Sequence, residues 1–138
     1  GRIFMKKLLN KFIITFCAIM TFSSVTAFAA TTILTYDGTG IGGKISVNSF
    51  TLSSTTTVTI NHTTSAWTGV SSGSTPTLKI QVRKKNLAGL YTNTGNEFQK
   101  TGTGSTSKSY SLGSGNYKLY FYTDHSTAKA NINGYVTK

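Results

Sequence analysis

The chain has 138 residues, a formal net charge of +11 from 14 Lys and Arg against three acids, and one cysteine. Three carboxylates are too few for the acidic cage that calcium prefers, and they give little support to a paired-carboxylate glycosidase. One cysteine excludes an internal disulfide framework and a thiolate zinc site.

In chain order, the first segment is a leader. Met5 is followed by Lys6, Lys7 and Lys11, then by the apolar run 12–22 (FIITFCAIMTF) and by Ala27-Phe28-Ala29. The apolar run is short for a bilayer span, and the small residues match a signal peptidase site. Residues 1–29 are therefore read as an N-terminal extension and a cleavable signal peptide helix, cut after Ala29; the competing reading is a buried N-terminal helix. Gly1–Phe4 precede a plausible initiator and are read as a misplaced start or an expression scar. The leader suits a bacterium and implies a secreted, extracellular or cell-wall-associated protein. Cys17 leaves with it. Residues 30–138 then form one domain, and its charge is +7, because four of the 14 cations lie in the first eleven residues while Asp37, Glu97 and Asp124 all remain (10 − 3). A secreted cationic surface favours anionic partners such as cell-wall polymers or lipid headgroups; simple solubility explains the charge equally well.

After the leader there is no helical period. Thr31–Tyr36 reads as a short strand, 37–43 (DGTGIGG) as a glycine-rich loop, and 44–52 (KISVNSFTL) as a strand with a bulge near Asn48-Ser49. Thr55–Asn61 is a strand with Val58 and Ile60 inward. Thr63–Pro76 reads as a polar loop around Trp67. Thr77–Lys85 alternates most cleanly, with Leu78, Ile80 and Val82 inward and Lys79, Gln81 and Arg83 outward, as a central strand with one wet face does. Segments 90–92 and 97–100 read as a weak hairpin about 93–96, and 101–106 as a linker. Strands at Lys108–Leu112, in the stretch Ser111–Asp124 and at Ala128–Thr137 complete the chain. Within SLGSGNYKLYFYTD, Tyr117, Leu119 and Phe121 share one face and Lys118, Tyr120 and Tyr122 the other. The expected fold is all-β, an antiparallel β-sandwich or jelly roll of seven or eight short strands.

Catalytic chemistry is poorly supplied. Asp37 in a glycine loop reads as a turn residue, and adjacent Asp124-His125 without a GxSxG elbow makes no hydrolytic triad. His62 and His125 are the only histidines, so neither a metal site nor a cofactor is expected, and His62 reads as a structural residue at the inner edge of a sheet. Binding is better supplied. Lys79, Arg83, Lys118, Tyr120 and Tyr122 line one outer face if the strands 77–85 and 117–122 are neighbours, and Trp67 is a second stacking candidate. Aromatic rings beside cations make a platform for sugars or anionic polymers. Alternatively, the tyrosines only cover a two-faced strand and Trp67 plugs one end of the sandwich.

Three blocks, LKIQVRKKNLAGLYTNTGNE, SYSLGSGNYKLYFYT and AKANINGYV, together spanning roughly 78–136, resemble bacterial pre-peptidase C-terminal domains. Where those domains carry Asp-rich strands, this chain has Arg83-Lys84-Lys85. The resemblance implies a jelly-roll-like sandwich serving as a non-catalytic accessory or adhesive module. The expected function is a non-enzymatic binding or adhesion module for cell-envelope or extracellular polysaccharide or polyanion, with no specific nucleic-acid partner. The alternatives are a cationic protein acting on anionic membranes and a self-assembling matrix protein.

Overall fold

A computed structural model describes residues 29–138; the expected leader, except for Ala29, lies outside them, as does Cys17. The described chain contains nine strands: β1 (Thr32–Ile41), β2 (Gly43–Ile45), β3 (Phe50–Leu52), β4 (Thr56–Thr68), β5 (Thr77–Lys85), β6 (Tyr91–Thr101), β7 (Gly104–Leu112), β8 (Gly115–Thr123) and β9 (Lys129–Thr137). They form two antiparallel sheets, β1-β9-β4-β7 and β2-β8-β5-β6, with β3 also paired to β8. If β2 and β3 count as one broken strand, the chain is eight-stranded and crosses between sheets as a jelly roll does.

The core forms where the inward faces of the two sheets meet. Val58, Ile60, Ile132 and Val136 from one sheet pack with Leu78, Ile80, Val82, Leu119 and Phe121 from the other, all almost fully buried. Each such side chain contributes about 1.5–3 kcal/mol through burial. His62 sits among them on the inner face of β4, 1 % exposed. Its Nδ1 is 2.9 Å from the Tyr36 hydroxyl and its Nε2 is 2.8 Å from Thr64 Oγ1. Burial, with Lys100 adding to it, lowers its pKa from 6.5 to about 4, so it is a neutral core residue.

Several local expectations are corrected. The glycine stretch 37–43 is not a loop, because β1 continues to Ile41 and pairs Asp37 with Asn133 and Gly38 with Ile132 on β9. Gly38 serves close approach there, since a Cβ on it would lie 2.8 Å from Ile41 Cδ1, whereas Gly40 supplies a positive φ of +65°. Instead of a bulge at Asn48-Ser49, the strand breaks between Ile45 and Phe50. Buried Ser46 bridges the gap, its N–H donating to Leu119 O at 2.7 Å and its hydroxyl accepting from Leu119 N at 3.1 Å. β4 runs through the expected polar loop to Thr68, since its polar residues are one face of a strand with a register shift between Thr64 and Ala66. The expected hairpin at 93–96 is a bulge inside β6. Gln81 faces Glu97 and Arg83 faces Asn93, so residues 94–96 stand opposite Val82 alone. Gly95 takes φ +92° there, and Thr94 Oγ1 donates to Val82 O at 2.7 Å. The linker 101–106 shrinks to Gly102-Thr103, the step by which the chain changes sheets.

Candidate binding face

The outer face of β8 follows from its inner one. Tyr117, Leu119 and Phe121 are buried, so Lys118, Tyr120 and Tyr122 emerge on the other side, each half-buried by neighbours. β5 lies beside β8 with Lys79 opposite Tyr122, Gln81 opposite Tyr120 and Arg83 opposite Lys118. On the far side of β5, β6 places Gln99 opposite Lys79, Glu97 opposite Gln81 and Tyr91 opposite Lys85. Five of the six residues expected from the sequence thus share one face.

Hydrogen bonds tie this face together. Tyr122 donates its hydroxyl to Glu97 Oε1 at 2.8 Å, and Gln81 Nε2 donates to the same oxygen at 2.9 Å. Arg83 Nε donates to Gln81 Oε1 at 2.7 Å. This chain settles the Gln81 amide: a carboxylate only accepts and a guanidinium only donates, so nitrogen faces Glu97 and oxygen faces Arg83. Burial and the bond to Glu97 raise the Tyr122 pKa, keeping its hydroxyl protonated and donating at neutral pH.

Aromatic contacts run along the same line. Tyr120 and Tyr122 stack with centroids 5.3 Å apart at 26°. Arg83 Cζ lies 4.1 Å from the Tyr120 centroid, Lys79 Nζ 5.9 Å from that of Tyr122, and Lys118 Nζ 5.0 Å from that of Tyr91. Tyr91 in turn donates to Asn116 Oδ1, and Asn116 Nδ2 donates to Thr51 Oγ1 at 2.7 Å. The rings are engaged with one another and with cations. The face therefore offers hydroxyl edges and positive charge more than open ring planes.

Trp67 is elsewhere. It lies on β4 opposite Ala130, in the other sheet, and packs against the core cluster. Its indole N–H is spent on Gly102 O at 2.9 Å, closing the end of the sandwich near the β6–β7 step. Sequence reading missed Tyr91 and Glu97. They share parity, but only the β5–β6 pairing places them beside this row: the unbroken register from Thr77–Thr101 sets Glu97 opposite Gln81, and the bulge at 94–96 sets Tyr91 opposite Lys85.

Charge is unevenly placed. Among the described residues no lysine or arginine lies within 4.0 Å of a carboxylate; the one acid–base contact is Asp124 with His125, on the exposed turn after β8. Asp37 stands on β1 and Glu97 on β6, so the three acids occupy three different elements. Among the described residues, no three His, Cys, Asp or Glu side chains cluster as metal ligands would. The outer face of the other sheet is neutral over most of its area. Thr57, Thr59 and Thr63 of β4 stand opposite Ser111, Ser109 and Ser105 of β7, with hydroxyl pairs at 2.8 Å (Thr59–Ser109) and 2.7 Å (Thr63–Ser105).

No protein family and no curated protein matches the chain. Among solved structures it is similar to the CBM22-1 xylan-binding domain of Xyn10C from Paenibacillus barcinonensis. The identity is 15 %, the TM-score is 0.44, and the match covers 81 % of this chain and 97 % of that domain. The likeness to pre-peptidase C-terminal domains rests on the three sequence blocks alone.

Proposed function

We propose that this protein is a secreted, non-catalytic module that holds an extracellular or cell-envelope polysaccharide on the outer face of the β2-β8-β5-β6 sheet. One observation carries the reading: Lys79, Arg83 and Lys118 each lie over a tyrosine of that face, and Glu97 and Gln81 pin the row between them. Such a row is ordered before a ligand arrives, so little side-chain entropy is lost on binding. Hydroxyls, amides and cations side by side suit a hydroxylated chain laid along the strand.

Retention on insoluble peptidoglycan, chitin and cellulose, at low and high salt, tests this. Retention on at least one polymer is expected, and it should fall in the Tyr120→Ala/Tyr122→Ala variant while the fold persists. Unfolding of that variant would make the two rings part of the core and end their role as a binding surface. Failure to bind any polymer, combined with dye leakage from anionic vesicles, would turn the reading to a membrane-active cationic protein.

A further inference from the structure

We infer that the face selects an acidic polysaccharide, whose sugars carry carboxylate or sulfate groups, and that Arg83 receives those groups. This rests on the polysaccharide reading above and names the class of sugar.

The argument starts from what Arg83 does not spend. Its Nε is bound to Gln81 Oε1, and its plane lies over Tyr120. Neither Nη has a hydrogen-bond partner among the described residues. Two fixed contacts thus orient the guanidinium and leave its terminal N–H groups unengaged. That is the fork that meets an oxyanion with two parallel hydrogen bonds, shorter and stronger than those to a neutral hydroxyl.

The neighbours keep that charge available. Glu97 is the carboxylate closest to the row in the hydrogen-bond chain, yet it accepts from Gln81 and Tyr122 and not from a cation. Gln81, only 6 % exposed, stands between acid and guanidinium as a neutral relay. Glu97 therefore orders Arg83 through Gln81 without neutralising it. Lys118 is the cross-strand partner of Arg83 and brings a second positive charge to the same place. A neutral sugar would gain only ordinary hydrogen bonds here; an acidic one gains charge-assisted bonds to a site already half-shielded from water.

The test compares affinities for polygalacturonate and its fully methyl-esterified form, and for dextran sulfate and dextran, in one low-salt buffer. At least one acidic polymer should bind about tenfold or more tightly than its neutral counterpart. Arg83→Lys keeps the charge and loses the fork, and should cost about tenfold on the acidic polymer. Gln81→Leu leaves the face's charge unchanged and removes the acceptor that orients Arg83; it should weaken acidic binding and also flatten preference between the two anions. Ser107→Ala, on the opposite sheet, serves as the unaffected control, and circular dichroism checks that each variant folds. Equal binding of acidic and neutral forms would overturn the inference and leave the polysaccharide reading standing. Binding to none of the four would overturn the inference, and would remove the polysaccharide reading only if peptidoglycan, chitin and cellulose also failed to retain the protein. Undiminished binding by Arg83→Lys, or equal affinity for single-stranded DNA, would reduce the face to a general polyanion surface and overturn the role of Arg83.

Discussion

Arg83 and Tyr120 are diagonal neighbours on adjacent strands, not cross-strand partners, yet the guanidinium carbon lies 4.1 Å from the ring centroid. The direct partner of Tyr120 is Gln81, whose amide oxygen holds Arg83 Nε. The cation is thereby bent back along its own strand onto the ring. A hydrogen bond sets the direction of a cation–π contact, and both lie on a face that is half-covered by its neighbours.

A double-mutant cycle with Arg83→Gln and Tyr120→Leu should measure this contact. A coupling of about 0.5–1 kcal/mol in urea unfolding is expected, as for a partly exposed cation–π pair. Strict additivity would mean that the stacking contributes nothing to stability.

Stability should depend on His62 at mildly acid pH. The unfolded chain protonates this imidazole near 6.5, while the folded protein resists until about 4. The unfolded state binds more protons between those values, so stability is full above pH 6.5 and declines as pH falls toward 4. The total is about 3 kcal/mol. Midpoints measured from pH 7.5 to 4 should show the decline, and His62→Gln should flatten this part of it. A wild-type curve that is level across the window would contradict the buried neutral imidazole.

Tyr110 has a buried hydroxyl with no hydrogen-bond partner among the described residues. Its burial raises its pKa, so the phenol is carried as an uncompensated polar group. Tyr110→Phe removes that cost while keeping the ring against Phe98, and should be neutral or stabilising by up to about 1 kcal/mol. A loss above about 1 kcal/mol in chemical denaturation would reveal a partner for the hydroxyl.

Gly134 admits no side chain. A Cβ there would run into the backbone oxygen of Asn61 and the hydroxyl of Tyr36, neither of which can withdraw without breaking a strand pair or the bond to His62. Gly134→Ala should cost about 3 kcal/mol, the upper part of the overpacking range. By contrast Gly73→Ala meets open space at φ +82° and should cost only the smaller backbone strain of a left-handed residue. Comparable thermal shifts for the two would refute the close-packing account.

Much of the sheet architecture was legible, and for a local reason. In 78–83 polar and apolar residues alternate, and in 117–122 buried and half-buried residues alternate, so parity sorts Leu119 from Tyr120, although Gln81 on the outer row is itself buried and Lys84 breaks the pattern. Legibility failed where a strand departs from simple pairing. The stretches 37–43 and 63–68 are rich in Gly, Ser and Thr, which composition assigns to loops; sheet neighbours supply the hydrogen bonds that make them strand. Trp67 reads as a loop aromatic until β4 is seen to carry it past a register shift to the sandwich end.

By itself the amino-acid sequence determined the class of fold, the strand faces and the stock of charge: hydrophobic parity is a property of neighbouring residues, and net charge needs no geometry. Tertiary structure alone decided which residues meet. Glu97, Gln81, Arg83 and Tyr122 come from three strands, and their hydrogen-bond chain exists because the register that runs from Thr77–Thr101 to Gln81–Glu97 sets Glu97 opposite Gln81. Register is a long-range quantity, set by how whole strands pair and pack, and no window of the chain contains it.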